Sequence, residues 1–198
     1  MELTKIAANI KEFAMKFVNK CLVFISVILF VSSCASMRSN YLEKKGEGCF
    51  LENDYSKAIE YHSRAIELYP ENVSAYLNRG NAWTRKEEFN RALSDYTRAL
   101  KLTPQDSRLY QYRGGVFAIM GDYDRALEDF GRAMELSPDN SGLYIRRGLI
   151  WSKKGEVDKA IKDYEKAHDL DPSDPNPVRF RENLLNRETK KFSQDKAR

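Results

Sequence analysis

The chain has 198 residues, of which 42% are hydrophobic and 31% are charged, a composition that is ordinary for a globular protein and sufficient for one domain. Its formal net charge is +4, and Lys, Arg, Asp and Glu alternate along the chain without forming blocks. This pattern indicates solvated helix surfaces and argues against a nucleic-acid-binding track, so no nucleic acid is expected among the partners.

The N-terminal region differs in character from the rest of the chain. Residues 21–31 form an apolar run that only Ser26 interrupts, and Lys16 and Lys20 precede it. Basic residues before a short apolar run are typical of a secretory signal, and a run of this length is shorter than the about 20 residues that a membrane-spanning helix needs. The sequence therefore predicts a signal peptide over residues 1–33.

A cysteine stands close behind the apolar run. The segment Val31-Ser32-Ser33-Cys34 resembles a bacterial lipobox, in which small residues precede a cysteine that receives diacylglycerol and becomes the mature N-terminus. The resemblance implies a lipid anchor at Cys34, detectable with palmitate. A plain signal peptide, or an uncleaved anchor beside an unrelated cysteine, is the alternative. Because Glu2 and Glu12 make residues 1–14 an unusual leader, Met15 is a second candidate for the true start.

The segment that follows the lipobox predicts where the protein is located. Only Ala35 to Ser39 separate Cys34 from the first expected helix, and five extended residues reach at most about 18 Å. We therefore expect a short tether over residues 34–38, repeats close to the membrane and a membrane-proximal partner. In enterobacterial lipoproteins an Asp after the lipidated cysteine favours the inner membrane. Since Ala35 stands there, the expected location is a bacterial cell envelope, at the outer membrane facing the periplasm.

Four copies of a 34-residue unit occupy the rest of the chain, over residues 39–72, 73–106, 107–140 and 141–174, and we call them repeats 1 to 4. No insertion or deletion disturbs their register. Four columns hold a small residue or proline in every copy: Gly46, Gly80, Gly114 and Gly148; Ala58, Ala92, Ala126 and Ala160; Ala65, Ala99, Ala133 and Ala167; and Pro70, Pro104, Pro138 and Pro172.

Each repeat predicts two amphipathic helices. In repeat 3, apolar residues recur every three or four positions on both sides of a break at residues 120–122, where Gly121 can take a left-handed backbone conformation. Pro138 stops the second helix. Gly114 and Ala126 are expected to face each other where the two helices cross, so a larger side chain at either position would destabilise the fold by about 1–3 kcal/mol.

The 34-residue period, together with the four columns that hold the same residue type in every repeat, resembles the tetratricopeptide repeat family. The resemblance covers residues 39–174 and implies an all-α fold, an α-solenoid of four helix-turn-helix repeats whose inner face holds a peptide or protein. Residues 175–192 continue the pattern of a first helix without a second one, and we predict a C-terminal capping helix there, followed by a disordered tail over residues 193–198.

The family resemblance also implies which residues line the inner groove, because the first helix of each repeat faces it. At these positions the chain has amides, cations, one tyrosine and aliphatic residues, which together suit a peptide backbone and its side chains. The alternative is an ordinary solvated helix surface. The candidate binding residues are Asn78, Asn81, Arg108, Gln111, Tyr112, Ile145, Arg146, Leu149 and Lys153, with Glu43 and Glu47 at an acidic end and Leu77 and Ile119 at the flanks.

The same columns argue against one specialised form of this groove, the carboxylate clamp that grips an acidic C-terminus of a heat-shock chaperone. Counted from repeat 1, Asn78 and Arg108 fit the clamp, but Glu47 and Tyr112 replace a required amide and cation. Counted from repeat 2, Asn81 and Arg146 fit the clamp, but Leu77, Tyr112 and Gly142 do not. A chaperone-tail receptor is therefore not expected.

Catalysis has no support in the sequence. Cys49 falls in the column of Trp83, Phe117 and Trp151, which favours a buried apolar thiol over a reactive or metal-binding one. His62 shares the column of three aromatic residues, and neither it nor His168 has a partner at metal-ligand spacing. No phosphate-binding loop or nucleophile elbow is present. We expect neither an enzyme nor a bound metal or cofactor.

One pair of columns varies together. Arg79, Arg113 and Arg147 occur in repeats 2 to 4, and Asp95, Asp129 and Asp163 follow sixteen residues later in the same repeats. Repeat 1 has Lys45 and Tyr61 instead. The correlation predicts partly buried bidentate salt bridges, either between the two helices of a repeat or between neighbouring repeats. The alternative is that each Arg extends along the surface to water.

These observations predict a non-catalytic repeat adaptor or assembly lipoprotein that holds a protein or peptide segment in its groove at an envelope membrane. The alternative from a different class is a structural module that self-associates into a homo-oligomer, because open repeat arrays can pair through their ends or grooves. Nothing in the sequence selects among cell-wall, pilus or outer-membrane pathways.

Overall fold

The computed structural model describes residues 33–196, and this part of the chain is a row of helices without strands. The first helix, α1, covers 33–51 in the described range. The others are α2 (Tyr55–Leu68), α3 (Val73–Arg85), α4 (Phe89–Leu102), α5 (Ser107–Ile119), α6 (Tyr123–Leu136), α7 (Ser141–Lys153), α8 (Val157–Leu170) and α9 (Asn176–Lys196). Each helix packs on the next, and the first helices of repeats 2, 3 and 4 also touch one another. The all-α solenoid predicted from the sequence is confirmed.

The turn inside each repeat depends on one left-handed residue. Gly121 and Gly155 have φ angles of +82° and +79°. At the same position of repeats 1 and 2, Asn53 and Glu87 both have a φ of +62°. Glycine takes this conformation without steric strain and asparagine tolerates it, whereas a glutamate does so at a cost. The turn therefore keeps the same backbone conformation in all four repeats, although only two of them have glycine there.

The small columns lie where the two helices of a repeat cross. A Cβ atom built on Gly114 would lie 3.3 Å from the backbone oxygen of Ala126 and 3.0 Å from Cβ of Asp129. Ala126 itself is fully buried. The expected contact between these two columns is present, and it leaves no room for a larger side chain.

The three predicted Arg–Asp pairs are present, and each joins the two helices of one repeat. In every pair Nε and Nη2 of the arginine donate to the two carboxylate oxygens, at distances of 2.7–2.9 Å: Arg79 to Asp95, Arg113 to Asp129, and Arg147 to Asp163. In repeat 1 the pair is replaced by a cation over a ring, with Lys45 Nζ 6.0 Å from the centre of the Tyr61 ring.

The arginines also connect neighbouring repeats. Nη1 of Arg79 donates to Ser63 Oγ at 3.0 Å, and Nη1 of Arg113 donates to Thr97 Oγ1 at 3.3 Å. Both hydroxyls belong to the second helix of the preceding repeat. Each of these guanidinium groups therefore fixes the two helices of its own repeat and the contact with the repeat before it.

The N-terminal boundary differs from the sequence prediction. α1 is already helical at residue 33, so residues 34–38 are helix and do not form an extended tether. In the later repeats a proline and a capping Asn or Asp precede the first helix, but Ser36 and Arg38 stand at those positions in repeat 1 and let the helix continue. The predicted signal peptide, apart from Ser33, and the alternative start at Met15 lie outside the described residues.

The C-terminal boundary differs as well. α9 continues to Lys196, so residues 193–196 of the predicted disordered tail are helical. No proline or glycine follows Pro177 to stop the helix. Leu184 is buried on the last repeat and Phe180 packs against Tyr164, with ring centres 5.8 Å apart. α9 therefore covers the apolar face that repeat 4 would otherwise expose.

Candidate binding groove

Three pockets lie in a row along the first helices of the repeats, and we call this row the groove. The first pocket, between repeats 1 and 2, has a volume of about 250 Å³, the second about 370 Å³ and the third about 270 Å³. The second pocket shares Phe50 and Asn81 with the first, and it shares Gly115, Ile119 and Arg146 with the third. The pockets therefore form one continuous surface from repeat 1 to repeat 4.

The three pockets are the same site repeated with the period of the sequence. The first is lined by Glu47, Phe50, Leu51, His62, Asn78 and Asn81. Adding 34 to each number gives Asn81, Thr84, Arg85, Tyr96, Tyr112 and Gly115, all of which line the second pocket. Adding 34 once more gives Gly115, Ala118, Ile119, Phe130, Arg146 and Leu149, all of which line the third. One geometry thus presents three different sets of side chains.

The second pocket is the largest and the most aromatic. Tyr112, which is 42% exposed, stacks on buried Tyr96 with ring centres 6.1 Å apart. The Tyr96 hydroxyl donates to Asn81 Oδ1 at 2.8 Å and lies 3.3 Å from Thr84 Oγ1. These bonds keep the amide of Asn81 at the pocket. Burial raises the pKa of Tyr96 well above its usual value. The pocket therefore offers a fixed aromatic wall beside hydrogen-bonding groups.

The first pocket is acidic and has a histidine in place of the aromatic ring. His62 is fully buried, and neither ring nitrogen has a hydrogen-bond partner among the described residues. Burial, together with the charge of Arg79, lowers the pKa of His62 to about 4, so the ring is neutral near pH 7. Glu47 is exposed at this pocket and accepts a hydrogen bond from Asn78 Nδ2 at 3.1 Å.

The third pocket is mainly apolar and has basic residues around it. Phe130 is buried, while Ile119 and Leu149 are 61% and 37% exposed. Arg146 and Lys153 line the same pocket, and both are exposed. Because Arg85 also lines the second pocket, the charge along the groove changes from acidic in repeat 1 to basic in repeats 2 to 4.

Most of the sequence-predicted groove residues line these pockets. They are Asn78, Asn81, Gln111, Tyr112, Arg146, Leu149 and Lys153. Arg108 does not: its guanidinium donates to Asp106, the capping residue of α5, at 2.7 Å, and the side chain lies at the loop beside the groove. Ile145 is half-buried and lines none of the three pockets, and Leu77, expected at a flank, is buried in the core.

The floor of the groove was not part of the prediction. It is made by one residue from the second helix of each of repeats 1 to 3: His62, Tyr96 and Phe130. Phe50 and Thr84, near the ends of two first helices, were missed as well. The repeat register does contain the signal, because these residues occupy two shared columns that follow the same 34-residue step.

The cysteines and histidines within the described residues do not gather into a metal site. Cys34 is exposed on α1, and Cys49 is a half-buried free thiol, so the predicted buried thiol is only partly enclosed. Within residues 33–196 no helix combines the length and apolar character needed to cross a membrane. The chemistry available in the groove is thus hydrogen bonding, charge and apolar contact.

Comparison with protein families decides what this architecture is. Family models described as tetratricopeptide repeat match residues 52–107, 107–140 and 142–174. The chain belongs to the tetratricopeptide repeat (TPR) family. A TPR array is a protein-interaction module. No curated protein matches the sequence.

Solved TPR structures share this fold at low sequence identity. PilF of Pseudomonas aeruginosa is 20% identical with a TM-score of 0.71, over 79% of this chain and 71% of that chain. YrrB, described as a TPR protein with an unusual peptide-binding site, is 20% identical with a TM-score of 0.62, over 75% and 76%. The first TPR domain of Spaghetti (RPAP3), bound to an HSP90 peptide, is 26% identical with a TM-score of 0.59, over 61% and 95%.

Proposed function

We propose that this protein is a non-catalytic TPR adaptor or assembly factor that binds a protein or peptide segment in the groove. The observation that carries the proposal is the row of three pockets in repeat register, which offers equally spaced places for the side chains of one segment. Tyr112 supports it, because a large aromatic ring held by stacking and still 42% exposed is typical of a binding hot spot.

The charge distribution gives the bound segment a direction. The repeat 1 end of the groove carries Glu43 and Glu47, whereas Arg85, Arg146 and Lys153 line the second and third pockets. A segment with some acidic character lies best on the basic part, with its acidic residues toward repeats 3 and 4. Exposed charges at the edge act mainly on the association rate and its salt dependence.

The partner proposed here differs in chemistry from the tail bound by the chaperone adaptors. The HSP90 peptide in the Spaghetti (RPAP3) complex shows that a related TPR fold holds a peptide. In this chain Glu47 stands where a clamp requires an amide, and Tyr112 where it requires a cation. An acidic carboxyl terminus therefore finds no matched set of donors in this groove.

We further propose that the protein is a lipoprotein anchored through Cys34 in a bacterial cell envelope, at the outer membrane and facing the periplasm. The lipobox-like segment supports the anchor, and Ala35 supports the outer membrane. Because residues 34–38 are helical, they advance about 1.5 Å per residue and hold the repeats closer to the anchor than an extended tether would. A partner of this groove is then membrane-proximal.

Two experiments test the proposal. In cells, crosslinking followed by purification and mass spectrometry should recover one principal envelope protein in a complex with this chain, and recovery of none would oppose the adaptor function. For the anchor, labelling with a palmitate analogue should mark the wild type and fail on Cys34→Ala. Cys49→Ala is the matched control and should retain the label; a labelled Cys34→Ala would contradict lipidation at this residue.

Self-association is the second candidate, and the exposed face of α1 favours it. Tyr41 is 58% exposed, whereas its counterparts in the later repeats, Ala75, Leu109 and Leu143, are fully buried against the preceding repeat. An exposed aromatic residue on the first described helix of a repeat array is a point where a second copy can stack. Light scattering distinguishes the candidates: a homodimer that Tyr41→Ser dissociates would support this one.

A further inference from the structure

We propose that the first pocket, between repeats 1 and 2, is a subsite for one Lys or Arg side chain of the bound segment. The inference rests on the proposed function, since it names the chemistry of a single position in the segment that the groove holds. Four features carry it: the shape of the pocket, the carboxylate of Glu47 with Glu43 close by, the aromatic wall and the difference from the other two pockets.

The shape follows from a smaller residue in one column. In repeat 2 the Tyr96 hydroxyl reaches Asn81 and Thr84 of the helix opposite. In repeat 1 the corresponding residues are His62, Glu47 and Phe50. The imidazole lacks the outer part of a tyrosine ring and its hydroxyl, and in the structure it reaches neither residue with a hydrogen bond. The pocket beside this ring has a volume of about 250 Å³, which a ligand side chain can enter.

One carboxylate, that of Glu47, lines this pocket, and a second one lies nearby on the same helix. Glu43 and Glu47 are one helical turn apart on α1, and each accepts a hydrogen bond from an asparagine amide, Asn72 or Asn78, at 3.1 Å. Within residues 33–196 neither forms a salt bridge. Burial, and to a smaller extent the neighbouring charge of Glu47, raise the pKa of Glu43, while the charge of Lys44 lowers it. A cation of the ligand would relieve the repulsion between Glu43 and Glu47.

The remaining walls suit the rest of a basic side chain. Phe50 and Leu51 line the pocket and offer an apolar surface to the methylene stem, and Phe50 also offers a ring face to the cation. The side-chain oxygens of Asn78 and Asn81 add acceptors. The second and third pockets contain Arg85, Arg146 or Lys153 and no carboxylate, so they repel the same ligand side chain.

The register predicts where the basic residue stands in the ligand. Neighbouring first helices are in contact, and packed helices lie on the order of 10 Å apart, which an extended segment crosses in about three residues. A basic residue in the first pocket therefore lies about six residues from an apolar residue in the third pocket. The two anchors together define a motif that a peptide library can detect.

The test uses the purified protein and a library of random peptides of about ten residues, in which one position at a time is fixed as Lys, Glu, Leu or Gly. The wild type should select Lys at one position. Glu47→Gln should weaken the best Lys-containing peptides about tenfold, and Glu47→Lys should reverse the preference to Glu at that position alone. The matched control is Glu60→Gln, which removes an exposed carboxylate on α2 and should leave the selection unchanged.

The outcomes distinguish failure of the proposed subsite from failure of groove binding. If Glu47→Lys still selects Lys at the same position, or if the wild type selects peptides without any basic preference, the subsite is wrong while groove binding stands. If the wild type selects no peptide, groove binding itself fails and the subsite fails with it. Circular dichroism of each variant, matching the wild type, excludes unfolding as the cause of a lost preference.

Discussion

Arg113 donates two hydrogen bonds to the carboxylate of Asp129, from Nε at 2.9 Å and from Nη2 at 2.7 Å, and so joins α5 to α6. The carboxylate is almost wholly buried, and the arginine is about three-quarters buried. These hydrogen bonds raise the pKa of Arg113 above its ordinary value, so the guanidinium keeps its charge. The same arrangement recurs in repeats 2 and 4, and none of the six residues lines a groove pocket.

A double-mutant cycle measures what this pair contributes. Arg113→Ala and Asp129→Ala should each lower the free energy of unfolding, because each leaves a partly buried charge without its partner. Their coupling energy should be about 1–3 kcal/mol in urea denaturation. The exposed pair Arg132 and Glu135 is the control and should couple by less than about 0.5 kcal/mol. A coupling near zero for Arg113 and Asp129 would mean that the buried geometry adds no stability.

The turn of repeat 2 offers a stabilising substitution. Glu87 has a φ of +62°, and its counterparts in repeats 3 and 4 are Gly121 and Gly155. Glu87→Gly should raise the free energy of unfolding by about 0.5–1 kcal/mol, since relief of the left-handed strain exceeds the added flexibility of the unfolded chain. The control is Asn53→Gly, where the gain should be smaller because asparagine tolerates this conformation. Equal gains at both positions would contradict the explanation.

His62 predicts a dependence of stability on pH. Its pKa in the folded protein is about 4, below the ordinary value of 6.5, so between these values the unfolded chain binds a proton that the folded one does not. The stabilisation is complete above pH 6.5 and is lost as the pH falls toward 4, by up to about 3 kcal/mol. His62→Phe places the repeat 3 residue in repeat 1. This variant should make the free energy of unfolding less dependent on pH between 4 and 6.5. Parallel urea-denaturation profiles for the wild type and the variant would contradict the assignment.

The sequence predicted what the repeat period controls. The break at Gly121, the contact of Gly114 with Ala126 and the Arg–Asp pairs all follow from columns that recur in fixed register. Residues of one column have equivalent neighbours in every repeat. For that reason the covariation of Arg113 with Asp129 correctly predicted their contact.

The features that the sequence did not predict depend on contacts between particular neighbouring side chains, which the repeat columns do not show. Arg108 occupies a first-helix column, but Asp106 two residues earlier captures its guanidinium. α1 extends to residue 33 because the stop signals of the later repeats are missing at Ser36 and Arg38. His62 was assigned to an aromatic column without the consequence that the pocket beside its ring can take a ligand side chain. Each of these three features depends on the identity and length of individual side chains.

The central claim is that the groove holds the partner, and recovery of that partner with a groove variant tests it most directly. Tyr112→Ala combined with Arg146→Ala removes the exposed aromatic ring of the second pocket and the cation shared by the second and third. The control is Arg108→Ala, which removes an exposed arginine beside the groove. All three proteins should have the same helical circular-dichroism signal and the same membrane attachment.

The measurement is the amount of the principal co-purifying protein after crosslinking in cells, compared across the wild type, the control and the double variant. The account predicts that the wild type and Arg108→Ala recover it equally and that the double variant loses at least about nine-tenths of it, as expected when two central hot-spot residues are truncated. Undiminished recovery with a folded double variant would contradict the account, and would place the binding surface on the outer face or on α9.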